Sequence, residues 1–198
     1  GRSGSISFSE AKLLAFPLRS ARGCYALTTC PLALERYSRS ADLKISIPSE
    51  PGEMHCLAGS TVVIDGKALV LEEYRIQKDG EFPQEWATHL AGLLDDAVLK
   101  GAINRFVLLS NGDFAHFAAN ACQVNQHVGI DDKTGTQKKG ALFNEETVPS
   151  ETLFFSALTE LRYEAEKSGF IEKLKQEQLI QFGGDGTTGL GYCTVKLA

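Results

Sequence analysis

No apolar run in this 198-residue chain approaches the about 20 residues that a helix needs to cross a bilayer, which excludes such a span. No CxxC pair is present, and no histidine cluster accompanies any of the five cysteines, Cys24, Cys30, Cys56, Cys122 and Cys193. Their odd number and their scatter through apolar runs read as reduced core residues, so neither zinc nor disulfides are expected and the chain is placed in the cytoplasm. A GK[ST] phosphate loop is missing, which argues against a Walker-type nucleotide enzyme. His55, His89, His116 and His127 have no neighbouring Ser or Cys in an elbow motif, which argues against a nucleophilic hydrolase. Excess basic charge is lacking too. The formal net charge of −5 speaks against a free-standing nucleic-acid binder, because counterion release needs a concentrated basic surface.

What is present supports one good core. With 43% hydrophobic residues, a single domain over residues 1–198, with an excursion at about 122–146, is expected. Ser5 to Phe16 reads as one long or bent strand ending at Pro17, and Gly23 to Thr29 as a second extended piece. Pro31 suits the first turn of a short helix, Leu32 to Tyr37. Ser38 to Ser60, rich in Ser, Pro, Gly and Glu, reads as a long surface loop. Asp65-Gly66 between Thr61–Ile64 and Lys67–Ile76 is the strongest short hairpin signal. Trp86, Leu90, Leu93 and Leu94 fall at helical spacing within Pro83 to Asp96. Arg105 to Leu109 reads as a buried strand, followed by a helix capped by Ser110 or Asn111. Thr152 to Leu158 reads as a strand, and a helix of open limits is expected within Glu160 to Glu177. Strands interleaved with helices and hairpins indicate an α+β class, which a ferredoxin-like sheet accommodates.

Two features carry candidate chemistry. The polar tip Asp131 to Lys139 separates the extended pieces Cys122 to Ile130 and Gly140 to Asn144, and holds Lys133, Lys138 and Lys139 beside a flexible Thr134-Gly135-Thr136 turn. A projecting β-arm fits that composition; a solvated hairpin end is the plain alternative. The stretch GGDGTTGLG, Gly183 to Gly191, permits close backbone approach and supplies threonine hydroxyls, so it suits a phosphate cradle. A glycine-rich hairpin turn is the plain alternative here.

The run GSISFSEAKLLAFPLRSARGCYALTTCPLALERYSR, Gly4 to Arg39, resembles the type III-B CRISPR RAMP subunits of the Cmr4 group, within the Cas7-like backbone family. The likeness continues at LVLEEY (Leu69 to Tyr74), RFVLLSNGDF (Arg105 to Phe114), GIDDKTGTQKKGALFNEETVPSETLFF (Gly129 to Phe155) and GGDGTTGLG. The resemblance implies a modified RNA-recognition palm with a β-hairpin thumb, polymerising along a CRISPR RNA. It implies sequence-independent gripping, because base pairing to the guide carries specificity. On this basis Lys133, Lys138 and Lys139 belong to the thumb with His127. Arg19 and Ser20 become palm contacts to phosphate, and Gly183, Gly184, Thr187, Thr188 and Gly189 a backbone cradle. Implied partners are CRISPR RNA, target RNA, copies of the chain itself and other Cmr-type subunits.

The sequence departs from the family pattern in three places. His127 stands where relatives often carry a basic residue, and Leu190 where they often carry Lys. The strand, aspartate loop and helix with which family members begin are not recognised before Gly1. The family subunit is a metal-dependent endoribonuclease, so its catalytic aspartate, and the divalent metal, are expected to lie upstream of this chain. Unpaired sheet edges are then expected, so that the chain is either completed by another segment or chain or is poorly soluble alone. Asp113, Asp131, Asp132 and Asp185 read as turn or cap residues. The alternatives are a non-catalytic structural scaffold subunit of a ribonucleoprotein and an ATP-dependent enzyme suggested by GDGTT.

Overall fold

The computed structural model describes residues 6–160 and 169–197. In chain order its elements are β1 (Ile6–Phe8), β2 (Lys12–Ser20), β3 (Cys24–Thr29), α1 (Pro31–Ser40), β4 (Met54–Cys56), β5 (Ala68–Leu71) and β6 (Tyr74–Glu81). There follow α2 (Gln84–Ala91), α3 (Ala97–Gly101), β7 (Phe106–Leu109), α4 (Asn111–Asn120), β8 (Gln123–Ile130) and β9 (Gln137–Thr147). Last come β10 (Leu153–Phe155), β11 (Leu158–Glu160), α5 (Phe170–Gln176), β12 (Leu179–Gln181) and β13 (Tyr192–Thr194). The class is α+β, as expected. Contacts divide the chain into two compact units, Leu13–Pro83 with Asn104–Phe154, and Gly1–Lys12 with Gln84–Ile103 and Phe155–Ala198.

The first unit is built on a seven-stranded sheet in the order β10-β2-β3-β7-β4-β6-β5. A further pairing, Ser20 with Leu71, joins β2 to β5, so the sheet curls back on itself like a barrel. β7 is buried along its whole length and runs parallel to β3 and antiparallel to β4, the apolar pattern of a strand covered on both faces. Phe16, Leu18, Met54, Leu69, Leu71, Val107, Leu109, Phe114 and Phe117 form the core cluster, with Ala33 of α1. Two buried hydroxyls are satisfied locally, Thr28 donating to the Phe16 carbonyl and Thr29 to that of Leu14, both at 2.7 Å. Ser110 caps α4, its Oγ accepting from the Asp113 amide at 3.0 Å and donating to Asp113 Oδ2 at 2.7 Å. Asp113 thus sits in the first turn of α4 as the partner of its cap.

Several local expectations are corrected. Pro17 does not end the first strand but lies inside β2 opposite Leu27, since a proline is tolerated wherever the strand does not need that amide. The span Ser38–Ser60 is not loop throughout. Its three residues Met54–Cys56 lie between β7 and β6 in the sheet, too short a strand to leave a periodic signature. Asp65 and Gly66 both have positive φ, 51° and 68°, in a turn closed by an antiparallel bridge of Ile64 with Ala68, although Thr61–Ile64 does not form a strand. Yet Lys67–Ile76 is not one strand, because a second turn at Glu72-Glu73 divides it into β5 and β6, with Leu71 opposite Tyr74.

In the second unit β1 pairs antiparallel with β11, Phe8 meets Phe170 edge-on at 6.1 Å, and β12 and β13 form a hairpin around the glycine-rich loop. The helix expected over Pro83 to Asp96 is present as α2 but stops at Ala91, burying Trp86 and Leu90; Asp96 instead caps the next helix, α3, through the Leu99 amide at 2.7 Å. Residues 161–168, where part of another helix was expected, lie outside the described residues. Cys30 and Cys56 are buried but Cys24 and Cys193 are exposed, so not every cysteine is a core residue; all five are free thiols. No described helix is long and apolar enough to cross a membrane.

Candidate nucleic-acid interface

Strands β8 and β9 form a two-stranded antiparallel sheet of their own, with His127 opposite Phe143 and Val128 opposite Leu142. Most of their residues are exposed on both faces. The tip is ordered by one carboxylate. Asp131 Oδ1 accepts the amides of Lys133 at 2.9 Å and Thr134 at 3.1 Å, while the Asp131 amide donates to the Thr136 carbonyl at 2.8 Å. These backbone bonds hold the Asp131 carboxyl below its ordinary pKa. Lys133, Lys138 and Lys139 are exposed, and among the described residues none of them faces a carboxylate. Three lysines against Asp131 and Asp132 leave the tip weakly positive.

Arg19, the other candidate cation, is countered, and His127 lies beside a carboxylate. His127 stacks on Phe143, ring centroids 5.1 Å apart and planes 14° apart, and its Nε2 lies 3.0 Å from Glu145 Oε2 without the alignment of a hydrogen bond. Arg19 grips Glu72 through Nε, 2.6 Å from Oε2, and through Nη2. The Arg19 amide also donates to Glu72 Oε1 at 2.9 Å, and the Glu72 amide returns a bond to the Arg19 carbonyl at 2.9 Å. The hydrogen bond and charge of Glu72 raise the guanidinium pKa further above its ordinary value. Ser20 cannot share a ligand with Arg19 in this arrangement, because consecutive strand residues point to opposite faces. Its hydroxyl is buried and meets no partner among the described residues.

Arg19 and Glu72 open onto a cleft of about 910 Å³, lined also by Glu73, Tyr74, His116 and Gln123. Tyr74 meets His116 and Phe117 edge-on at 5.9 and 5.4 Å. Sequence reasoning missed Glu72, Tyr74 and His116 as neighbours of Arg19, since no local pattern links them. The pairing itself spans 53 positions.

The glycine-rich loop is exposed and divides into two halves. A short 3-10 turn, Gly186–Thr188, uses the amides of Thr188, Gly189 and Leu190 internally, and the Thr188 hydroxyl donates to the Asp185 carbonyl at 2.7 Å. The amides of Gly183, Gly184, Asp185, Gly186 and Thr187 donate to no acceptor among the described residues. That half has the free donors an anion cradle needs. Sequence reasoning also missed Gln181, whose side-chain amide reaches the carbonyls of Phe182, Gly183 and Leu190 at 3.0–3.2 Å and spans the loop neck. Gly191, at φ 77°, could not carry a side chain: a Cβ there would stand 1.9 Å from the Phe182 carbonyl oxygen.

Among the described residues no group of three or more His, Cys, Asp or Glu side chains is placed to hold a metal ion. A profile of the RAMP superfamily matches residues 1–194. The CRISPR system Cmr endoribonuclease Cmr4 of Pyrococcus furiosus is 29% identical over 207 aligned positions, covering 99% of this chain and 70% of the relative. An oligomeric Cmr4 crystal structure from Pyrococcus furiosus superimposes with a TM-score of 0.71 at 23% identity, covering 98% of this chain and 73% of that one. A type III-B Cmr-beta complex bound to cognate target RNA gives a TM-score of 0.72 at 17% identity, covering 99% of this chain and 71% of the other.

Proposed function

Since this chain belongs to the RAMP superfamily, we propose that it is a Cmr4-type, Cas7-like backbone subunit of a type III-B CRISPR effector that grips RNA without reading its sequence. The observation that carries this reading is the hairpin β8–β9, an exposed arm whose three lysines face no carboxylate among the described residues. Flexible ammonium groups meet phosphates as point charges and ignore base identity, which suits a subunit whose guide supplies specificity by pairing. In this reading the barrel-like sheet is a modified ferredoxin-like palm and the hairpin is its thumb. The free amides of Gly183 to Thr187 form a second phosphate cradle.

One relative is an oligomeric Cmr4 and another a complex bound to target RNA. CRISPR RNA, target RNA, neighbouring copies and other Cmr-type subunits are accordingly the partners, in a reducing cytoplasm that suits five free thiols. The curated relative is named an endoribonuclease. No residue here is assigned to cleavage, since among the described residues no group of three or more His, Cys, Asp or Glu side chains comes together. Arg19, His127 and Ser20 contribute less than the lysines: Glu72 counters Arg19, His127 is stacked on Phe143, and Ser20 is buried.

The test is fluorescence anisotropy with labelled single-stranded RNA of several sequences. Binding is expected to be sequence-tolerant and to weaken steeply with salt. Strong preference for one sequence, or salt-insensitive binding, would refute the reading.

A further inference from the structure

We infer that Glu72 is a built-in competitor for RNA: its carboxylate occupies the Arg19 guanidinium, and a backbone phosphate must displace it to use that arginine. This rests on the RNA-binding reading above and names how one of its contacts is regulated.

The geometry supports an exchange rather than a permanent structural pair. A guanidinium fork takes carboxylate and phosphate oxygens in the same planar, charge-assisted way, so the two anions are alternatives for one site. The Arg19 side chain is 84% exposed and opens onto the 910 Å³ cleft, whereas that of Glu72 is 11% exposed. The cation is therefore reachable and its present partner is the sheltered member. Glu72 also holds a positive φ of 51° at the first position of the β5–β6 turn, where glycine would be unstrained. Glycine could make that turn but not the carboxylate contact. Glu73, next in the chain and lining the same cleft, forms no hydrogen bond or close ion pair with Arg19, and so supplies an internal control.

The experiment measures RNA anisotropy against salt on the full chain for five variants: Glu72→Gln, Glu72→Gly, Glu73→Gln, Arg19→Ala, and Arg19→Ala combined with Glu72→Gln. Freeing one arginine for one phosphate of a single strand is expected to tighten binding about eightfold at about 50 mM salt and to steepen the log–log salt slope by about 0.7. Glu72→Gly is expected to show the same gain with an intact fold, because glycine accepts the turn's φ. Glu73→Gln should show much less. Arg19→Ala alone should change affinity less than about twofold, since that cation is already neutralised, yet it should erase the gain in the double variant. Unchanged affinity and slope in both Glu72 variants would overturn the proposal, as would a gain that survives loss of Arg19. Failure of the broader reading shows differently: wild-type binding would then be indifferent to Lys138→Glu with Lys139→Glu, whatever Glu72 does.

Discussion

Reversing two lysines of the hairpin, Lys138→Glu with Lys139→Glu, puts the proposed thumb under direct test. Both side chains are exposed on β9, and among the described residues neither forms an ion pair whose loss would complicate the outcome. Each lysine that neutralises one phosphate of a single strand contributes a salt slope of about 0.7, which at about 50 mM salt is about eightfold in affinity. Removing both contacts should weaken binding at least about 60-fold there, with the slope shallower by about 1.4. The new glutamates add repulsion, so this is a lower bound. The loss should be the same on purine-rich and pyrimidine-rich oligonucleotides, because ammonium groups contact phosphates and not base edges. Circular dichroism should be unchanged, as the hairpin ladder does not depend on these side chains. Retained affinity with a native spectrum would remove the thumb assignment. A loss confined to one RNA sequence would replace backbone gripping with base readout.

Three further outcomes follow from local geometry. Gly191→Ala drives a Cβ into the Phe182 carbonyl and should free the Phe182 amide, now bonded to the Gly191 carbonyl at 2.8 Å; hydrogen exchange at Phe182 that matches wild type would refute this. The depressed Asp131 carboxyl stabilises the hairpin tip above its ordinary pKa, and that contribution should vanish as pH falls through the lowered value. The Lys133 and Thr134 amide resonances should therefore shift below about pH 4, and Asp131→Asn, which keeps an acceptor, should abolish the shift; flat wild-type resonances between pH 5 and 2 would count against the turn. Burial pushes the Cys30 and Cys56 thiols up, so a thiol reagent at pH 8 should label exposed Cys24 first and these two only on unfolding. Native labelling of Cys56 at the rate of Cys24 would contradict the buried β4.

The residues themselves determined the features whose causes are local. Asp65-Gly66 requires two positive φ angles and has them; Pro31 opens α1; the unbroken apolar run of β7 is covered on both sides; and the polar stretch Asp131 to Lys139 ends an exposed arm. The five family blocks lie in order along the same chain, and the superfamily match agrees with them. What the tertiary structure alone decided depends on residues brought together from afar. β4 is three residues long and owes its place to strands on either side, so it carries no period to read. The Glu72-Glu73 turn has no turn chemistry in its sequence, and the partner of its first carboxylate, Arg19, lies 53 positions away. By the same pairing Arg19 becomes a countered charge, and by strand alternation the Ser20 hydroxyl is turned to the interior. Propensity and periodicity act over a few residues and therefore show in the sequence. Charge neutralisation and burial are set by whatever the fold lays alongside, and only the folded chain reveals them.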